Sequence, residues 1–131
     1  MAVTPDQIRA FVEEKERRRR SNLRRLHAQA CGDAARIVAV IAERYRPARI
    51  VQWGSLLDAD RFREYSDIDL AVEGVVGAER FFALLHDAEA ETRFPLDIVQ
   101  LEHVEPEFRA LILEKGQVVY ERPHEAQRAA E

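Results

Sequence analysis

Three aspartates and one Gly-Ser pair are the residues of this chain whose types and spacing could do chemistry. Asp67 and Asp69 flank Ile68 in the run Ser66-Asp67-Ile68-Asp69-Leu70-Ala71-Val72. Asp97 is an isolated acid in a later apolar run, Phe94-Pro95-Leu96-Asp97-Ile98-Val99. Gly54-Ser55 follows a short β-prone run, Ala48 to Trp53. In a strand, residues two apart share a face, so Asp67 and Asp69 project side by side, about 7 Å apart at their α-carbons. Two ionised carboxylates so placed repel each other. A hard divalent cation with oxygen ligands offsets that repulsion. If the strand of Asp97 is a neighbour, the three carboxylates converge and could hold two Mg²⁺ ions, which activate an attacking oxygen and stabilise a leaving phosphate. Gly54 permits a tight turn, and backbone N–H groups there, with the Ser55 hydroxyl, can cradle a phosphate. Each feature alone has a plainer reading: Asp67 and Asp69 on a solvated edge strand, Asp97 at an ordinary strand end. Their combination is far more specific than any one of them.

The elements that must position these residues can be read in order. Thr4-Pro5-Asp6 predicts a helix start, with a capping residue, a proline suited to the first turn and an acid that complements the dipole. Ile8, Phe11 and Val12 are its first expected apolar contacts. Apolar positions resume at Leu23, Leu26, Ala30, Ala34, Ile37, Val38 and Ile41, at steps of three and four. Pro47 sets the end near Tyr45-Arg46. Gly32 leaves open one long helix or two. Between the apolar sets lies an arginine run, Arg17 to Arg20 with Arg24 and Arg25. It reads as a solvated helix face, a contact for an acidic partner protein, or a nucleic-acid contact. The last is disfavoured, because no aromatic residue is interleaved. After Gly-Ser, residues 56–66 read as polar, beginning with a helical turn. A strand follows over 66–74, then a helix over 77–93, a strand after Pro95, a helix from Pro106 to Gly116 and a final strand, Gln117 to Glu121. Ser66 shapes the turn before the acidic strand and is counted with the nucleotide-binding candidates. Trp53 reads as core rather than as a base-stacking platform. His27, His86, His103 and His124 have no metal-ligand spacing, and Cys31 reads as a small buried residue.

The alternation of helices and strands predicts an α/β (α+β) fold, a small mixed central sheet flanked by helices. The expected organisation is a basic N-terminal helical segment over 1–46 packing on the domain, a core over 47–121 and a polar, disordered tail over 122–131. The chain of 131 residues carries a net charge of −4, unevenly distributed. Residues 1–50 hold twelve Lys and Arg against six Asp and Glu, and residues 51–131 hold eight against eighteen. The acidic part would repel a polyphosphate unless metal ions neutralised it. With a single cysteine, an intrachain disulfide is excluded. No apolar run reaches the ~20 residues of a membrane span. The first residues lack the apolar core of a signal peptide, so a cytoplasmic protein is expected.

The residues Gly54-Ser55, then Ser66-Asp67-Ile68-Asp69-Leu70-Ala71-Val72, then Pro95-Leu96-Asp97-Ile98-Val99 resemble the minimal nucleotidyltransferases of the DNA polymerase β superfamily. The resemblance spans about residues 45–121. It implies the polymerase β-like fold, with the N-terminal helix as an extension. It also implies Mg²⁺-dependent transfer of a nucleoside monophosphate, AMP from ATP, to an acceptor hydroxyl. Asp67 and Asp69 would be metal ligands, and Asp97 would complete the catalytic metal site and help activate the hydroxyl. Gly54 and Ser55 would hold the triphosphate. Small members of the family often act as antitoxins beside a HEPN-type toxin, which they bind and AMPylate. The expected partner is therefore a HEPN-type toxin protein, and self-association is left open. The sequence departs from the family pattern after Gly-Ser. Leu56-Leu57-Asp58 stands where relatives carry a basic residue and a glycine, and the spacer to Asp67 is one residue longer than usual. Arg61 and Arg63 are the nearby candidates for the missing basic contact. Two alternatives stay open: a module that neutralises a partner by masking it without chemistry, and a transferase acting on RNA or a small molecule.

Overall fold

The computed structural model describes residues 2–123. Its first helix, α1, runs from Pro5 to Tyr45 without interruption. At its start Thr4 Oγ1 accepts the Gln7 N–H at 3.1 Å, and Gln7 Oε1 accepts the Thr4 N–H at 2.9 Å. This reciprocal capping box, with Pro5 in the first turn, satisfies donors that the helix itself cannot. Gly32 does not break the helix. Ala30, Ala34, Ile37 and Ile41 on either side of it are buried, and that packing outweighs the ~1 kcal/mol helix cost of a glycine. Arg46 ends the helix in a left-handed conformation, φ 46° and ψ 54°, and Pro47 prevents its continuation.

Among the described residues only the second half of α1 packs on the domain. Ile8, Phe11 and Val12, expected to make the first apolar contacts, are exposed, Phe11 to 70%. The reason is length. At 1.5 Å per residue α1 is about 60 Å long, whereas a five-residue strand spans about 17 Å. The sheet ends long before the helix does.

That sheet contains β1 (Arg49–Trp53), β2 (Ile68–Glu73), β3 (Leu96–Gln100) and β4 (Gln117–Glu121). Helix α2 (Ala78–Glu89) joins β2 to β3, and α3 (Pro106–Lys115) precedes β4. The strand order is β3-β2-β1-β4. β1 is antiparallel to both β2 and β4, and β2 is parallel to β3. The fold is therefore the mixed α+β arrangement that the sequence predicts, with β1 and β2 central. The α2 helix is shorter than the 77–93 stretch predicted for it, because Ala90 to Arg93 turn the chain into β3.

Alternation along the strands divides the core in two. Ile50, Ile68, Leu70, Val72 and Ile98 face α1 and α2, meeting Ala30, Ile37, Ile41 and Leu84. Burying each large aliphatic side chain contributes about 1.5–3 kcal/mol. On the other face Val51 and Ala71 meet Leu101 and Ile112 in a smaller cluster beneath α3, with Trp53 and Val99 at its margin. The 56–66 loop is less polar in effect than its composition suggests, since Leu56 and Phe62 are fully buried. Phe62 packs edge-on against His27 and Phe94, with centroids 5.3 and 6.4 Å away. Of the polar tail expected over 122–131, only Arg122 and Pro123 are described, and the rest lies outside the described residues. Arg122 N–H donates to the Ala48 carbonyl at 2.9 Å. Among the described residues no helix is long and apolar enough to cross a membrane.

Candidate functional site

The parallel pairing of β2 and β3 places Asp69 directly opposite Asp97. Ala71 and Val99 are the next pair along the same face, so both aspartates lie on the face that α3 covers. On the other side of Asp69 the antiparallel pairing places Trp53, the last residue of β1. Asp67 immediately precedes β2, one residue outside the strand that the sequence predicts to contain it. Its position is set by the loop before it. Ser66 is 8% exposed, its Oγ accepts the Arg63 N–H at 2.8 Å, and its own N–H donates to the Arg63 carbonyl at 3.0 Å. Ser66 therefore closes the loop that delivers Asp67.

Gly54 is the second fixed point. It sits at φ 82°, a conformation that side chains disfavour. A Cβ built on it would fall 2.2 Å from Asp69 Oδ2, so only glycine lets the turn after β1 lie against that carboxylate. Ser55 opens a single 3₁₀ turn, Ser55–Leu57, that follows directly. Behind this turn His27 of α1 donates through Nε2 to the Leu56 carbonyl at 2.8 Å. The sequence offers no sign that this histidine, 29 residues away, anchors the turn.

Among the described residues no positive charge stands beside the aspartates. The Asp69 carboxyl is pushed up to about 7, first by burial, then by Asp97, then by Asp67. Asp69 is half-buried, whereas Asp97 is exposed. These oxygen donors suit a hard divalent cation, and the missing Gly54 side chain leaves Asp69 Oδ2 free of a clash on that side. As the side chains stand, no group of three or more His, Cys, Asp or Glu among the described residues is disposed to hold a metal ion.

Cations do line the adjoining surface. A groove of about 540 Å³ begins at Trp53 and Gly54 and is walled by Leu57, Asp58, Arg61, Phe108 and Lys115, two cations against one acid. Trp53 and Phe108 meet edge to face at 5.4 Å. Trp53 is thus half-buried at a groove margin rather than enclosed in the core, and its Nε1 is buried without a partner among the described residues. Of the two arginines near the departure from the family pattern, Arg61 lines this groove. Arg63 is engaged by the Asp60 and Phe62 carbonyls at 2.8 and 2.9 Å. Sequence reading misses Lys115 and Phe108, which reach the groove from α3. The only available signal was a lysine at the end of a helix stopped by Gly116, which is common in any fold. His86 and His103 are exposed, and His124 lies outside the described residues. Cys31 is half-buried, and burial raises its thiol.

This geometry can be set beside known proteins. A solved toxin-antitoxin structure with AMP-PNP superposes with a TM-score of 0.55 at 16% identity, covering 70% of this chain and 77% of that one. A structure provisionally described as a minimal nucleotidyltransferase superposes with a TM-score of 0.56 at 25% identity, covering 72% of this chain and 93% of that one. No curated protein matches the chain. Residues 36–125 match the family described as Polymerase beta, Nucleotidyltransferase. That span contains the Gly-Ser turn, all three aspartates and the whole sheet, and the chain belongs to this nucleotidyltransferase family.

Proposed function

We propose that the chain transfers AMP from ATP to a hydroxyl of a partner protein and acts in the cytoplasm as the antitoxin of a HEPN-type toxin. One observation carries the reading: Asp69 stands in register with Asp97 while Gly54 presses against Asp69 Oδ2. An acidic pair and a backbone turn are thereby held together where a triphosphate and an attacking oxygen could meet. Family membership supports nucleotidyl transfer, and the toxin-antitoxin structure with AMP-PNP supports the choice of nucleotide and partner class.

In this reading the N–H groups of the Gly54-Ser55 turn and the Ser55 hydroxyl bind the triphosphate. Arg61 and Lys115 counter its charge from the groove, filling the place left by Leu56-Leu57-Asp58. Asp67, Asp69 and Asp97 would hold Mg²⁺, two ions in all. When bound, the ions would neutralise the phosphates, favour ionisation of the attacking hydroxyl and stabilise the departing pyrophosphate. Trp53 and Phe108 offer an apolar wall to the nucleoside. Catalysis is then mostly positioning and charge neutralisation, which suits a site with no evident nucleophile of its own.

The test is label transfer from α-labelled ATP to the co-expressed partner, read by gel and by intact mass. The wild type is expected to add AMP units to the partner. Asp67→Ala with Asp69→Ala should reduce transfer to background with an unchanged circular dichroism spectrum. Wild-type transfer by that double variant would overturn the assignment of the site. Neutralisation of an unmodified partner without ATP would overturn the catalytic reading.

A further inference from the structure

Among the described residues nothing packs on the first half of α1, yet it carries Ile8, Phe11 and Val12, exposed by 54%, 70% and 51%. We propose that this overhang is a dimerisation arm that pairs antiparallel with the same arm of a second copy of the chain. Two observations choose that occupant: the charge pattern of the arm and the shape of the surface at its base.

Residues 5–16 contain four acids and two bases, and residues 17–28 contain six arginines and no acid. Among the described residues Asp6 pairs with Arg9, Glu14 with Arg17 and Arg18, and Glu16 with Arg19, all on the exposed surface of one helix, while Arg20 and Arg24 have no carboxylate partner. A parallel pair would set arginines against arginines along two full turns. An antiparallel pair sets the acidic segment of each arm against the basic segment of the other, in both halves at once, as a two-fold interface requires. Apolar residues obey the same pairing. Ile8 and Leu26 are eighteen residues apart, five turns, and so share a face. With the arms crossing at Arg17, Phe11 meets Leu23 of the second copy, and Ile8 meets the part of its Leu26 that the domain core leaves accessible at the groove edge. Just beyond Leu26 lies a groove of about 660 Å³, walled by Gln29, Asp33, Arg36, Thr92 and Phe94. The start of the second arm, with exposed Val3, reaches that groove. The inference does not depend on the proposed transfer reaction.

Light scattering on the full chain is expected to give about twice the 15.1 kDa monomer mass at tens of micromolar protein. Ile8→Glu with Phe11→Glu should give the monomer mass, keep the circular dichroism spectrum of a folded chain, and bring the unfolding midpoint down to a value that no longer depends on protein concentration. Direction is read by cysteine pairing in a Cys31→Ala background. Antiparallel arms hold the two copies of residue 8 about 27 Å apart, so Ile8→Cys alone should form no disulfide dimer. Mixed with Leu26→Cys, it should form the mixed disulfide. A monomeric wild type, a dimer that survives the double glutamate variant, or a self-disulfide of Ile8→Cys would each overturn the proposal.

Discussion

Asp69 and Glu73 sit two positions either side of Ala71 on one face of one strand, and their surroundings are opposite. Glu73 accepts from Arg49 of β1 at 2.9 Å and from Arg109 of α3 at 3.3 Å. Among the described residues Asp69 has no cation beside it and has Asp97 and Asp67 instead. An acid with two arginines is finished within the chain and ties strand to helix. An acid among acids is complete only with something the chain does not supply. The difference separates a structural carboxylate from a candidate functional one without appeal to the rest of the molecule.

The comparison can be broken most sharply at Asp69. Asp69→Asn should cost transfer about three orders of magnitude, comparable to losing a principal charge-stabilising group. The same change should make the metal-free protein more stable at pH 8, by roughly 1–2 kcal/mol for a half-exposed group. The sign follows from the raised carboxyl. With a folded value of about 7, the folded state holds a proton that the unfolded state releases near pH 4. The stabilisation from Asp69 is full below pH 4 and is lost as pH rises to about 7. Thermal melts between pH 4 and 8 should show this decline in the wild type and a flatter profile in the variant. Added Mg²⁺ should raise the wild-type midpoint at pH 8 and leave that of the variant nearly unmoved.

Glu73→Gln should do the reverse: a loss of about 1–2 kcal/mol in denaturant unfolding, with transfer within about twofold of wild type. A variant at Glu73 that lost activity while keeping stability would erase the distinction between the two acids. The smallest expected effect is at the groove. Arg61→Ala should raise KM for ATP about three- to tenfold, as for one partly exposed charge on a phosphate, and leave kcat nearly unchanged.

Much of this was legible in the chain because the relevant signals are local. The period-two alternation of Ile68, Leu70 and Val72 against Asp69 and Ala71 gives β2 and its buried face directly. Pro95 and the apolar run around Asp97 give β3, and the Gly-Ser pair gives the turn. Three features were not legible because they depend on distant partners. Whether α1 survives Gly32 is decided by its packing against the sheet, not by the glycine. Where α1 leaves the domain depends on how long the strands beneath it are, and periodicity at Ile8 and Val12 looks the same packed or bare. The groove beside Gly54 borrows Phe108 and Lys115 from α3, which reach it only once α3 lies across β1.

The pairing of Asp69 with Asp97 also makes the chain sensitive to length. The two residues lie in different strands, and their meeting depends on how many residues lead into β3. The Ala90–Arg93 turn can absorb an added residue as slack. An insertion between Pro95 and Asp97 cannot be absorbed in this way, because a one-residue slip turns every following side chain to the opposite face. The aspartate would be driven toward the apolar layer beneath α2, and Ile98 would be turned out in its place. The first residues of β3 thus act as a ruler, and library designs that vary loop length should leave them at their present count.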